Sequence, residues 1–297
     1  MNRQVLKLKK VIKKRLRFST RQRTNLFIIG EQKCGTTSLY KLLTRNANIL
    51  AATAKECHYF NTNKILTDKG YKKYHKEYRQ PFYKKYLYQI DATPDYLSDK
   101  KAAELIQAYN PEAKIIIVLR NPASRFISAY NFYFSNVILD LEVANKLFFQ
   151  FSENGNAKYK YLKENPGLSI QQFLDDELNG KSPFLSLKRG HYFEHIQHWE
   201  QYFDKSNMRI LSFENLISPG KMPAEISILE EFLSLSLDTN FPKENISALE
   251  TIVPADVILK LENYYQFEIS QLEKMSDRKN NNFEMNYYPE TTLNVQS

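Results

Sequence analysis

Short apolar runs alternate with helical patterns along most of this chain. Four runs predict buried strands, at 25–30, 86–91, 114–119 and 208–213. Between them, apolar residues recur at helical spacing over three stretches, at 36–45, 100–109 and 192–203. Because strands that alternate with helices usually pair in parallel, the pattern predicts an α/β fold of three layers, α/β/α, around a central parallel sheet.

The two ends of the chain have patterns of their own. Residues 1–23 place Val5, Leu8, Ile12 and Leu16 at near-helical spacing among basic residues, which predicts a basic amphipathic N-terminal tail. Such a helix could lie on an anionic membrane surface, remain a solvated leader or, as a third reading, contact RNA. Residues 276–297 are polar and rich in asparagine, which predicts a C-terminal tail. The stretch between, 24–275, has no linker or repeat and is predicted to be one domain.

Charge changes this picture only at the N-terminus. The chain has 297 residues and a formal net charge of +9, but ten basic residues and no acidic residue fall within 1–23. The remaining chain is close to neutral, so its charge does not indicate a nucleic-acid binder. No apolar run approaches the roughly 20 residues of a membrane span, and no secretory signal follows the basic start. With two cysteines, these features predict a cytoplasmic location, with peripheral membrane contact as an alternative.

The loop between the first strand and the first helix is the main candidate for chemistry. Its sequence, Gly-Glu-Gln-Lys-Cys-Gly-Thr-Thr-Ser-Leu over 30–39, stands where backbone N–H groups and a helix dipole form an anion site. The spacing is close to that of a nucleoside-triphosphate P-loop, but Thr36 occupies the position of the lysine, and Lys33 comes three residues earlier. A phosphate-like ligand is expected, and ATP or GTP hydrolysis is disfavoured.

This loop resembles the 5′-phosphosulfate loop of sulfotransferases that use 3′-phosphoadenosine 5′-phosphosulfate (PAPS). The segment 115–130 resembles that family's 3′-phosphate segment, in which Arg120 and Ser128 match the arginine and the serine. A guanidinium and a hydroxyl suit a compact dianion. The segment 188–192 resembles a stretch that closes over the nucleotide. The resemblance implies a P-loop-like fold, PAPS as the donor and these donor-binding residues: Gln32, Lys33, Cys34, Gly35, Thr36, Thr37, Ser38, Arg120, Ser128, Arg189, Gly190 and Tyr192.

A fourth segment, Lys-Glu-Cys-His-Tyr-Phe at 55–60, is similar to the K-E-x-H-F-F stretch of glycan sulfotransferases. By that match Glu56 is the general base, which takes the proton of an acceptor hydroxyl, and Lys33 stabilises the leaving group. In an extended segment His58 would share a face with Glu56 and could orient the acceptor or share in proton transfer, or else be a structural histidine. The heparan 3-O-type pattern expects arginine at Thr37 and aspartate at Asn61, so it is not matched in full.

The resemblance implies a sulfotransferase that acts on a hydroxyl of a carbohydrate or glycolipid. Sulfation of a small-molecule alcohol, an amine or a tyrosine remains open, and a P-loop kinase or NTPase and a non-enzymatic binding module are the rival classes. No metal is expected, because the sequence has no His, Cys, Asp and Glu cluster at metal-ligand spacing. The lysine- and tyrosine-rich run from Lys64 to Tyr88 is interpreted as a solvated helical face with its tyrosines packed inward, in preference to an acceptor surface.

Overall fold

The structure is a computed structural model that describes residues 3–16, 22–78, 85–136, 155–242 and 252–277. Within these ranges, five strands form one parallel sheet in the order β2-β3-β1-β4-β5. The strands are β1 Leu26–Gly30, β2 Ile49–Ala51, β3 Tyr88–Ala92, β4 Lys114–Leu119 and β5 Met208–Ser212. The predicted α/β class with helices around a central parallel sheet is confirmed.

Eleven α-helices are found in the same described ranges. They are α1 Arg3–Leu16, α2 Thr36–Thr44, α3 Asp68–Lys76, α4 Lys100–Tyr109, α5 Pro122–Asn131, α6 Gly155–Glu164, α7 Ile170–Leu178, α8 Tyr192–Trp199, α9 Phe213–Ile217, α10 Met222–Leu233 and α11 Ala255–Asp277. Short 3₁₀ turns lie at Lys64–Leu66, Pro94–Tyr96, Lys188–Gly190 and Lys205–Asn207. A π-helical turn, Phe132–Asn136, continues α5.

The predicted elements match the observed ones closely where the apolar pattern is long. Strand β4 and helix α4 have the predicted ends, and helix α8 is shorter than predicted, ending at Trp199. Strand β2 was not predicted, because three residues are too few to show a periodicity. The predicted C-terminal tail, 276–297, lies outside the described residues apart from the end of α11.

The chain divides into two compact units, where the sequence predicted one domain over 24–275. Unit 1 comprises Met1–Leu119 and Glu194–Glu244 and contains the whole sheet. Unit 2 comprises Arg120–Phe193 and Asn245–Ser297. The predicted boundaries at residues 23 and 275 stay predictions.

Both faces of the sheet in unit 1 are covered. Alternate residues of a strand point to opposite faces, so Ile28 and Phe27 serve different layers. One layer joins Ile28 to apolar side chains of α2 and α10, such as Leu42 and Leu229. On the other side the Phe27 ring meets the Phe60 ring edge-on at 5.8 Å. Burial on both faces explains why these strands read as continuous apolar runs.

Helix α1 belongs to this packing rather than standing apart. Val5, Leu8 and Ile12 are buried, and the helix packs against α4. Basic side chains of its other face, such as Lys7 and Lys10, are exposed. Contact with an anionic membrane stays a prediction, and the apolar stripe on which it was based is used for internal packing.

Helix α3 comprises residues 68–76 of the lysine- and tyrosine-rich run from Lys64 to Tyr88. Tyr71 and Tyr74 are buried, whereas Lys72 and Lys73 are exposed. The interpretation as a solvated face with inward tyrosines is therefore confirmed for this helix. The tyrosine and lysine at 83–84 lie outside the described residues.

Unit 2 has an aromatic core between α5, α7 and α11. The Phe126 and Phe173 rings stack with centroids 5.3 Å apart, and Leu261 of α11 is buried in the same cluster. Arg125 is fully buried and donates a hydrogen bond to the Ser186 carbonyl. The Tyr265 hydroxyl donates to the Leu187 carbonyl at 2.8 Å. These contacts tie α5 and α11 to the chain just before the 188–192 segment.

The sheet order decides where a ligand site in unit 1 would form. β1 lies between β3 and β4, so the connections from β1 and β3 leave the sheet in opposite directions. In open parallel sheets, ligands bind beyond the carboxyl ends of the strands at such a reversal. The loop after β1 and the Pro94–Tyr96 turn after β3 both begin at this edge.

Candidate active site

The loop after β1 is held mainly by its backbone. The Glu31 amide donates to the Val118 carbonyl of β4 at 2.8 Å, and the Cys34 amide donates to the Glu31 carbonyl at 3.2 Å. Lys33 has a left-handed backbone with φ +68°, which is uncommon for a residue with a side chain. Such outliers cluster at functional sites, where the surrounding structure holds them in place.

The loop ends at the first turn of α2, where Gly35 is the N-cap. It has φ +81° and no side chain to accept from the helix amides. A Cβ there would lie 2.6 Å from the Phe213 ring, so any larger residue is excluded by space as well as by φ. The first turn, Thr36 to Ser38, contains no acidic residue, and its backbone amides have no acceptor on a preceding turn of the helix. This arrangement fits a phosphate or sulfate group.

The sequence analysis considered an extended segment around Glu56 and His58, but the structure shows that this segment is not extended. Glu56 has φ +65° and His58 has φ +52°, both in the left-handed region. The two side chains nevertheless meet, with His58 Nε2 lying 3.9 Å from Glu56 Oε2. The two side chains therefore lie close together without the alternation of an extended segment, and the role of His58 stays a prediction.

Lys55 and His58 hold Glu56 in its ionised form. Burial favours the neutral acid, but the contact with His58 and the charge of Lys55, whose Nζ lies 2.5 Å from Oε1, outweigh it and lower the pKa of Glu56. Burial lowers the pKa of His58, and here Glu56 and neighbouring carboxylates outweigh burial and raise it. The Glu56 side chain is still 39% exposed, so it can be reached from solvent.

The buried carboxylate of Asp91 anchors this segment, although no role was predicted for it from the sequence. Asp91, at the end of β3, is fully buried and accepts hydrogen bonds from the hydroxyls of Thr93 at 2.8 Å, Tyr74 at 3.0 Å and Tyr96 at 3.2 Å. The Tyr96 hydroxyl in turn accepts from the Tyr59 amide at 3.2 Å. Burial raises the pKa of Asp91, and the three hydroxyls oppose that rise. The available signal was a carboxylate next to an isoleucine in a short predicted strand.

The predicted nucleotide residues of the later segments belong to unit 2. Arg120 directly follows β4 and is half-buried, and Ser128 is half-buried on α5. Arg189 is half-buried, whereas Tyr192 is fully buried. A Cβ on Gly190 would lie 2.6 Å from the Tyr265 ring, so this turn needs glycine for close packing.

The two thiols of the chain are structural in character. Cys34 and Cys57 are both free, and Cys34 is fully buried. Burial raises the pKa of Cys57 far above its ordinary value, which keeps it a neutral thiol. Among the described residues, no three His, Cys, Asp or Glu side chains are grouped so that they could hold a metal ion.

Comparison with known proteins supports the resemblance found in the motifs. The family model described as "Sulfotransferase domain" matches residues 23–287. Heparan sulfate glucosamine 3-O-sulfotransferase 5 of Mus musculus is 27% identical over 208 residues, which cover 70% of this chain and 52% of the mouse protein. The chain thus spans about half the length of the curated relatives it matches.

Two further matches extend the comparison. The membrane-associated sulfotransferase kil1 of Dictyostelium discoideum is 23% identical over 268 residues, covering 71% of this chain and 56% of kil1. A crystal structure of a sulfotransferase from Alicyclobacillus acidocaldarius superposes with a TM-score of 0.62 at 21% identity, covering 86% of this chain and 96% of that one. This structural match shows a shared fold.

These matches decide several of the predictions. The family resemblance, the fold and the enzyme class of the family are confirmed. The predicted cytoplasmic location is wrong, because a relative that matches over 71% of the chain is membrane-associated by name. In the part of the chain that the structure describes, no helix is long and apolar enough to cross a bilayer. The roles of the individual site residues stay predictions.

Proposed function

Because this chain belongs to the sulfotransferase-domain family, we propose that it transfers a sulfuryl group from PAPS to a hydroxyl of a carbohydrate or glycolipid. The observation that carries the proposal is the partly exposed Glu56 carboxylate, which Lys55 and His58 keep ionised. The carbohydrate acceptor is supported by relatives whose names specify heparan sulfate glucosamine.

Glu56 is the proposed general base. The acceptor oxygen forms a bond to sulfur while the bond from sulfur to the nucleotide phosphate breaks, and the acceptor proton passes to Glu56. A hydroxyl is a weak nucleophile, so removing its proton in the transition state is the main task of the protein. The lowered pKa means that the carboxylate is already the predominant form of Glu56 at neutral pH.

The loop after β1 would hold the phosphosulfate end of the donor. Backbone amides at the start of α2 suit its oxygens, and they are pre-oriented by Gly35 and by the left-handed Lys33. The ammonium group of Lys33 would neutralise charge that develops on the leaving phosphate. Gln32, Cys34, Thr36, Thr37 and Ser38 complete the proposed donor-binding loop.

The remaining residues of the proposed donor set come from the later segments that resemble the family. The guanidinium of Arg120 and the hydroxyl of Ser128 are donors suited to a 3′-phosphate. Arg189 is the partly exposed member of the 188–192 segment, and the close packing of Gly190 and the burial of Tyr192 give that segment a fixed conformation. The proposed role of Arg189, Gly190 and Tyr192 is to cover the nucleotide.

A transfer assay tests this function and the acceptor class together. The full chain is incubated with ³⁵S-labelled PAPS and four acceptor types: an N-sulfated glucosaminoglycan, a neutral glycolipid, a tyrosine peptide and a phenolic alcohol. We expect label on a sugar hydroxyl, located by disaccharide analysis. Label on the peptide, the phenol or an amine would show that the acceptor is not a carbohydrate hydroxyl. No transfer with any acceptor, together with magnesium-dependent ATP hydrolysis, would refute the proposed reaction.

A further inference from the structure

We propose that Asp95 is a positioning residue that holds His58 as an imidazolium against the base Glu56. The inference rests on the proposed function, because it concerns the same site. Asp95 comes from the Pro94–Tyr96 turn after β3, and neither the motifs nor the family match assigned it a role.

The geometry places His58 between two carboxylates. Its Nε2 lies 3.9 Å from Glu56 Oε2, and its Nδ1 lies 3.9 Å from Asp95 Oδ2. His58 is 8% exposed, whereas the side chains of Asp95 and Glu56 are 22% and 39% exposed. The imidazole is therefore the buried centre of a row whose ends reach the surface. Charge interactions are stronger there than in bulk water.

The backbone fixes both members of the Asp95–His58 pair. The Tyr96 amide donates to the Thr93 carbonyl at 3.1 Å, which closes the turn that carries Asp95. The Tyr96 hydroxyl accepts from the amide of Tyr59, the residue after His58. Tyr96 thus connects the turn that carries Asp95 to the segment that carries His58. These contacts hold the backbone on both sides of the Asp95–His58 pair.

Asn61 is a second polar group beside His58 Nδ1. Its amide nitrogen lies 3.2 Å from His58 Nδ1, and its Oδ1 has no hydrogen-bond partner among the described residues. An imidazolium donates from both ring nitrogens. With the Asn61 amide turned by 180°, Oδ1 would accept a hydrogen bond from Nδ1–H. The site therefore offers an acceptor for each N–H of a charged His58.

The balance of charges around the site favours the same state. The ionisable groups that face His58 are Glu56 on its own segment, Asp95 on the turn and Asp91 at the end of β3. Lys55 is the cation bound to Glu56, and Cys57 stays a neutral thiol. The neighbouring carboxylates outweigh the burial of His58 and raise its pKa.

The proposed consequence is a fixed and ionised base. The imidazolium engages Glu56 Oε2 and leaves other lone pairs of that carboxylate for the acceptor proton. If Asp95 is neutralised, His58 loses its proton at a lower pH, and Glu56, whose pKa the Asp95 charge raises, keeps its negative charge to a lower pH. The pH range in which both groups have the active charge should then shift to lower pH.

The direct test is an NMR titration of the histidine rings in the full chain without substrate. The chain has five histidines, and loss of a signal in His58→Gln assigns the one of interest. We expect the wild-type His58 midpoint to lie above that of an unperturbed histidine. Asp95→Asn should lower it by about one pH unit, as expected for loss of a neighbouring opposite charge, and Asp95→Glu should restore most of it. Glu112→Gln, which removes an exposed carboxylate from the turn before β4, is the matched control.

Two results would overturn the inference. One is a wild-type His58 midpoint below the ordinary value, which needs no Asp95 variant and so covers the case in which Asp95→Asn fails to fold. The other is an Asp95→Asn midpoint that moves no more than that of Glu112→Gln. The titration requires no turnover, so failure of the proposed reaction would be seen separately, in the transfer assay.

A pH profile adds the functional readout where transfer is observed. In Asp95→Asn the alkaline limb of kcat/KM, set by His58, and the acid limb, set by Glu56, should both move to lower pH, while nucleotide affinity is unchanged. A uniform loss of activity at all pH values would indicate a structural role and would contradict positioning through charge.

Discussion

The loop after β1 and the Glu56–His58 segment both carry predicted catalytic residues, but they are held in different ways. The loop depends on backbone hydrogen bonds and on a glycine whose Cβ position is blocked by Phe213. The segment depends on side chains, above all on the hydroxyls that surround Asp91 and on its charged neighbours. The first arrangement suits an oxyanion that every donor molecule presents. The second sets the charge of a base and is more easily changed by single substitutions.

The largest expected effect is a loss of kcat in Glu56→Gln without a loss of nucleotide affinity. Glu56→Gln keeps the size of the side chain but removes the proton acceptor, so kcat should fall by about 10³-fold, within the range of general-base catalysis. Affinity for 3′-phosphoadenosine 5′-phosphate should stay nearly unchanged in calorimetry. Glu112→Gln serves as the control for loss of one negative charge. Near-full activity of Glu56→Gln would show that the base is misassigned.

In the loop after β1, substitution of Gly35 should lower the free energy of unfolding. Gly35→Ala adds a Cβ at φ +81° and 2.6 Å from the Phe213 ring, which should cost about 3 kcal/mol of stability, measured by urea unfolding. The matched variant Gly180→Ala has φ +68° with open space around its Cβ. It should cost about 1 kcal/mol, from backbone strain alone. Equal costs in both variants would mean that Phe213 moves aside and that the loop is not closely packed.

Unit 2 provides a test of binding without chemistry. Arg120→Ala should weaken binding of 3′-phosphoadenosine 5′-phosphate about 30-fold, or about 2 kcal/mol, as expected for loss of a charge-assisted contact. Affinity for 5′-AMP, which lacks the 3′-phosphate, should not change. Arg45→Ala removes an exposed guanidinium that pairs with Asp238 and is the control. A similar loss for both nucleotides would place Arg120 away from the 3′-phosphate.

The smallest expected effect concerns the hydroxyls around Asp91. Tyr74→Phe removes one of three donors to the buried carboxylate and should cost about 1 kcal/mol in thermal or urea unfolding. Tyr202→Phe, at a half-exposed tyrosine, should be close to neutral. A neutral Tyr74→Phe would indicate that Thr93 and Tyr96 alone satisfy Asp91.

Features that depend on residues near each other in the sequence could be predicted, whereas features that depend on residues far apart in the sequence could not. The strand 114–119 is a run of aliphatic residues and the loop 30–35 stands next to its own strand, so local pattern was sufficient for both. Asp95 was not singled out, because its importance comes from His58, 37 positions earlier, and depends on a turn that brings the two together. The left-handed backbone of Glu56 and His58 has the same origin. A left-handed backbone is uncommon for any residue with a side chain, and tertiary contacts impose it here.

Calorimetry of 3′-phosphoadenosine 5′-phosphate binding to the wild-type chain, without magnesium and beside 5′-AMP and ATP, tests the central claim most directly. The account predicts tight binding that requires the 3′-phosphate and needs no metal ion. Absence of binding, or a preference for magnesium-bound ATP, would contradict it.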